Sequence, residues 1–136
     1  IWITPMNTAQ SSEKFMQQII EKFSKQKDFP EGYCNVTSKA LIDILRSEGK
    51  EVRLQFSYLE KGEGHCFVVE RDWDKEIILD PTYAQYDKNY SQGFSGEKFP
   101  NPELEQNRLE KEEFMKTQEK RLEEWVYDNI FKNKWT

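Results

Sequence analysis

The chain has 136 residues, with 20 Lys or Arg against 25 Asp or Glu, a formal net charge of −5 and a single histidine. That length suits one domain with a real hydrophobic core, and nine Phe, six Tyr and four Trp give more aromatic bulk than a disordered chain of such polarity carries. No Lys/Arg cluster is free of interleaved acids, which argues against nucleic acid as partner. No apolar run approaches the roughly 20 residues that span a bilayer, so membrane insertion is not expected.

The chain opens on Ile1-Trp2-Ile3-Thr4-Pro5, without an initiator methionine or the charged and apolar regions of a signal peptide. The expectation is a soluble fragment or processed product of a longer chain. Residues 1 to 10 show no sustained period and read as a short strand or arm. From Ser11-Ser12, which can cap a helix, Phe15, Met16, Ile19, Ile20 and Phe23 fall on one face at three- and four-residue steps, predicting a helix to about Lys25. Asp28, Pro30 and Gly32 then mark a loop. Val36, Ala40, Leu41, Ile44 and Leu45 predict the buried face of a second helix, ended by Gly49 at its C′ position.

Val52, Leu54 and Phe56 alternate with polar residues, as in a half-buried strand, and Glu60 to Gly64 reads as a hairpin connection. In the next strand His65, Phe67 and Val69 face one way, and Cys66, Val68 and Glu70 the other. Asp72 to Lys75 turns into a third strand, Glu76 to Leu79, and short connections predict an antiparallel meander. Residues 83 to 101 read as an irregular, aromatic-rich segment that walls a cleft or covers the sheet. From Pro102 the chain is helical again, with a charged middle from Glu110 to Lys120, as one long helix or two.

Three residues in this pattern carry chemistry. Cys34 lies in or just before the first turn of the second helix, where unpaired backbone N–H groups and the helix dipole favour a thiolate and can donate to an oxyanion. His65 is the chain's one imidazole, suited to take a proton from a thiol and return it to a leaving amine. Asp80, just past the third strand and at the same end of the sheet, can orient that imidazole. Each has a duller reading: a buried small hydrophobe, a structural histidine, and a turn residue before Pro81. Tyr33 and Gln85 are the candidates for oxyanion or substrate contact, with Gln10, Gln17 and Gln18 as other possible amide donors. Cys34, His65, Cys66 and Asp80 can be counted as zinc ligands, but Cys66 should face away from His65 and no Cys-x-x-Cys pair exists, so no metal or cofactor is expected. Two cysteines do not make a disulfide framework, and a Cys34–Cys66 bridge would consume the nucleophile.

Gly32-Tyr33-Cys34 before a helix, Gly64-His65-x-Phe67-Val68-Val69 and Ile78-Leu79-Asp80-Pro81-Thr82-Tyr83, in that order, resemble the transglutaminase-like branch of the papain-like superfamily. More narrowly they resemble bacterial papain-fold toxin and protein-glutamine deamidase effector domains. The likeness covers Glu31 to Tyr86. It implies an α+β, papain-like fold with the nucleophile helix packed on a small antiparallel sheet, in one domain over residues 1–136. The catalytic core is expected at 11–86 and a C-terminal helical extension at 102–132. It also implies Cys34 as nucleophile, His65 as base and Asp80 as orienting acid. Cys66 departs from the small residue that usually follows the histidine.

The expected activity is cysteine-dependent acyl transfer on a carboxamide through a thioester, as a protein-glutamine deamidase delivered by a bacterium into a target cell. The alternatives are a cysteine protease, a transglutaminase, or a catalytically inactive protein-binding domain. The expected partners are a protein substrate and, from the resemblance alone, a cognate immunity or inhibitor protein.

Overall fold

The computed structural model describes residues 8–59, 64–108 and 122–125. Helix α1 (Thr8–Phe23) starts ahead of the serine pair expected to cap it and stops short of Lys25. Its Met16, Ile19, Ile20 and Phe23 are buried, as their spacing requires. Ser12 is not a cap: it lies inside the helix, fully buried, with its hydroxyl donating to the Glu70 carboxylate.

Helix α2 (Cys34–Ser47) begins at the cysteine itself. At its other end Gly49 sits at φ 78°, its N–H donating to Arg46 O at 3.0 Å while Lys50 N–H reaches Leu45 O at 3.0 Å. This pair of bonds satisfies carbonyls that the helix leaves open, in the arrangement a glycine at C′ permits. Leu41, Ile42 and Leu45 are fully buried, each contributing about 1.5–3 kcal/mol by leaving water. Ile42 was not on the predicted face. It is buried because α2 packs on both α1 and the sheet.

Strands β1 (Val52–Tyr58), β2 (Gly64–Asp72), β3 (Lys75–Asp80) and β4 (Phe94–Gly96) form one sheet in sequence order, every neighbour antiparallel. The meander is therefore present and one strand longer than expected. β4 comes from the aromatic segment and pairs Phe94 with Asp80, so Asp80 ends β3 from within the strand.

On one face of the sheet, α1 and α2 cover Leu54, Phe56, Cys66, Val68 and Leu79. On the other, Phe67, Val69 and Ile78 pack with Tyr83, Phe94, Phe99 and Leu104. Strand β1 is not half-buried, because Gln55 and Ser57 are also covered. The cover is α3 (Pro102–Arg108), with Asn101 as its cap: Oδ1 of Asn101 accepts from Glu103 N and Leu104 N at 2.9 and 3.1 Å, and Pro102 takes the first helical position. Ser57 Oγ donates to Leu104 O at 2.8 Å, and buried Arg108 reaches Glu105, Glu97 O and Gln55. The packed body thus runs on past Tyr86 through Arg108. Residues 122–125 are helical with Leu122 buried, and the rest of the expected extension lies outside the described residues. Among the described residues no helix is long and apolar enough to cross a membrane.

Candidate active site

Gly32, at φ 78°, turns the chain into α2 in a conformation that side chains disfavour. Tyr33 then caps the helix with its carbonyl, which accepts from Thr37 N at 3.0 Å and from Thr37 Oγ1 at 2.7 Å. This puts Cys34 among the unpaired N–H groups of the first turn. One turn on, Ser38 Oγ donates to Cys66 O at 3.1 Å, tying the start of α2 to the strand position beside His65. Helix α2 covers the Cys66 face while His65 points to the opposite one. Cys34 is the first residue of α2 and His65 the second of β2, and Cys34 is among the groups that hold the His65 imidazole up, while its thiol donates to Asn35 Oδ1 at 3.7 Å.

The β2–β3 register places Val68 against Leu79 and Val69 against Ile78, so the next pair along is Phe67 with Asp80, and His65 lies diagonally from Asp80 on the same face. His65 Nε2 is 2.5 Å from Asp80 Oδ2, with both side chains fully buried. The other carboxylate oxygen accepts from Thr82 N at 3.1 Å and Thr82 Oγ1 at 3.4 Å. Gln85, on the short 3-10 turn Tyr83–Gln85, brings its Nε2 to 3.2 Å from His65 Nδ1 and 3.3 Å from Thr82 Oγ1. Aromatic rings close the box, with Phe67 stacked at 5.8 Å, Tyr86 edge-on at 4.9 Å and Phe99 at 6.3 Å. Cys34 and Gln85 are only partly buried, whereas His65 and Asp80 are fully buried.

Burial is the largest single influence on His65 and by itself would push the imidazole down. The Asp80 charge and hydrogen bond, joined by Cys34, outweigh it and hold the ring up to about 9. At neutral pH the ring is therefore predominantly a cation.

The structure brings together Cys34, His65, Asp80 and Gln85. It turns the Tyr33 ring elsewhere, against Phe23 and Phe29 at 6.2 and 5.7 Å, so that ring is part of the core wall. Gln17 and Gln18 lie on the exposed face of α1, away from any site, and the side chain of Gln10 lies outside the described residues. Cys66 is buried in the α1/α2 core, on the face away from His65. Among the described residues no three His, Cys, Asp or Glu side chains gather to hold a metal ion.

Sequence reasoning assigned no role to Thr82 or Gly93. A hydroxyl two residues after an aspartate is a recognisable turn signal that would have found the first. Gly93 (φ 81°) passes so close behind Asp80 that a Cβ there would sit 3.0 Å from Asp80 O, Ile20 Cδ1 and Met16 Sδ, and nothing local in the sequence announces that approach. An open pocket of about 360 Å³ is lined by Pro30 and Glu31 together with Ala84, Gln85, Tyr86, Asp87 and Lys88. Gln85 both lines this pocket and contacts His65 Nδ1. No family model, curated protein or solved structure matches this chain.

Proposed function

We propose that the protein is a cysteine-dependent acyl-transfer enzyme acting on protein carboxamides, with Cys34 as nucleophile, His65 as proton carrier and Asp80 as the group that orients His65. One observation carries this reading above the others: a buried imidazole bonded through Nε2 to a buried carboxylate at 2.5 Å, with a partly exposed cysteine at a helix N-terminus acting on the same ring. A purely structural histidine has no need of a sulfur placed where backbone N–H groups favour negative charge.

With Nε2 committed to Asp80, Nδ1 is the nitrogen that exchanges protons, its contact with Gln85 giving way during each transfer and re-forming between them. The Cys34 thiolate adds to the carbonyl carbon of a glutamine side chain, and the oxyanion forms beside the unpaired N–H groups of the α2 first turn. The C–N bond breaks as Nδ1–H protonates the departing nitrogen, releasing ammonia and leaving a thioester. Water then gives a proton to the now neutral Nδ1 and adds to the thioester. The C–S bond breaks, and the products are glutamate and the regenerated thiolate–imidazolium pair. An amine in place of water gives crosslinking, and a backbone amide in place of the side-chain carboxamide gives proteolysis.

The partly exposed Cys34 and the open pocket beside Gln85 support a protein side chain as substrate. Delivery into a target cell and a neutralising partner rest on the sequence resemblance. Peptide mass analysis of a protein extract treated with wild type and with Cys34→Ala tests the reading. Gains of about one dalton at glutamines, present with wild type and absent with the variant, support deamidation. New peptide termini move the assignment to a protease. Neither change, across extracts from bacterial and animal cells, overturns acyl transfer.

A further inference from the structure

The hydrogen bonds around His65 form a closed circuit whose donors and acceptors can be assigned one by one. Thr82 N–H can only donate, so Asp80 Oδ1 accepts, and with Asp80 as a carboxylate Oδ2 accepts as well. His65 Nε2 therefore carries a proton. Thr82 Oγ1 sits 3.4 Å from the same Oδ1 and 3.3 Å from Gln85 Nε2; donating to the first, it accepts from the second. Gln85 Nε2 has one hydrogen left, and its other neighbour is His65 Nδ1 at 3.2 Å. The circuit closes only when Nδ1 is a bare lone pair, that is, when the ring is neutral.

In the other ring state Nδ1 carries a proton, and an N–H would face an N–H. A single half-turn of the Gln85 amide resolves this. Oε1 then occupies the place of Nε2, within reach of both Nδ1–H and the Thr82 hydroxyl, which swings from Asp80 to Gln85. Asp80 keeps His65 Nε2–H and Thr82 N–H. Asp80 Oδ1 and Oδ2, Thr82 Oγ1 and both ring nitrogens of His65 keep a partner in both states, and the ring stays in place.

We infer that Gln85 and Thr82 form a positioning pair whose hydrogen bonds reverse direction with the His65 proton, holding the imidazole in one orientation through both halves of the reaction cycle. The inference rests on the proposed chemistry only for its use, since the reversal itself depends on geometry alone. The groups with titrating or charged side chains that face the ring are Asp80 from β3, Cys34 from α2 and Tyr86 from the turn after β3. Asp80 is already bonded to Nε2 and Tyr86 meets the imidazole with its ring, edge-on, so what stands at Nδ1 is the Gln85 amide, and it must present a donor or an acceptor there at constant charge.

The lone histidine makes the test direct. In wild-type protein labelled with 15N, a coupling across the hydrogen bond between Gln85 Nε2 and His65 Nδ1 is expected when the ring is neutral and lost when it is charged, with the same midpoint as the ring's own titration. Because the pair serves both states, Gln85→Leu moves that midpoint by less than about one pH unit. It lowers acyl-transfer or Cys34 alkylation rates about tenfold or more at every pH, and Thr82→Val behaves alike, with Thr82→Ser restoring the wild-type rate. A coupling absent above the midpoint, or a Gln85→Leu midpoint displaced by several pH units, overturns the proposal by showing a partner for one state only. If the coupling reverses as stated while no acyl transfer is found, the enzymatic reading fails and the reversing pair stands.

Discussion

Raising the pH from 6 to 9.5 removes a proton that the folded protein holds and the unfolded chain gives up early. An unfolded histidine titrates near 6.5 and His65 in the fold near 9, so the native state binds the extra proton throughout that interval. The stability this supplies is fully present below 6.5 and is lost as pH rises through about 9. At about 1.4 kcal/mol for each pH unit over which the folded protein alone keeps the proton, the loss is roughly 3 kcal/mol. Urea unfolding at half-unit steps of pH measures it directly, as a midpoint that falls while the slope holds.

Asp80→Asn supplies the contrast. It removes the charge that raises His65, leaving burial, the largest influence, opposed only by Cys34 and a neutral amide acceptor, to push the ring below its ordinary value. The sign then reverses, because a neutral buried imidazole adds stability as pH rises through the unfolded value. A wild-type stability that is flat between pH 6.5 and 9, or an Asp80→Asn variant that loses stability over the same interval, refutes the assignment of the pair.

Other substitutions probe the scaffold. Gly93→Ala puts a methyl group against Asp80 O, Ile20 and Met16 at positive φ, and urea unfolding should show a loss on the order of 1–3 kcal/mol. Leu104→Ala, at a fully buried position under which Ser57 and Phe99 pack, should cost about 2–5 kcal/mol by the same measurement. Trp73 stands almost fully exposed at the β2–β3 turn with φ 60°, so Trp73→Asn should gain roughly 1 kcal/mol, because asparagine tolerates that conformation. Ser38→Ala leaves Cys66 O without its side-chain donor and should cost about 1–2 kcal/mol, read from denaturant midpoints.

The second helix, the meander and the Cys34–His65–Asp80 grouping were legible because each rests on local signals. These are a 3.6-residue period ended by glycine, alternation across short turns, and an X-Pro stop after an isoleucine-rich strand. What escaped depends on contacts between distant segments. Ser12 looks like a cap in the sequence and becomes a buried partner of Glu70 only because α1 lies on β2. Gln55 and Ser57 look like the wet face of β1 until α3 covers them. Phe94 to Gly96 is too short for its pattern to mark a strand and gains that form from the edge of β3. Gln85 was one glutamine among several, and only the turn after Pro81 brings it rather than Gln17 or Gln18 to the imidazole.

The most direct measurement of the link between sulfur and imidazole is the rate at which a chloroacetamide probe alkylates Cys34 in wild type and in His65→Gln, with glutathione as reference and near-UV circular dichroism confirming the fold. The account predicts labelling of Cys34 alone, with Cys66 protected by burial, and a drop of about tenfold or more when His65 is replaced. Equal Cys34 rates in the two folded proteins would contradict it.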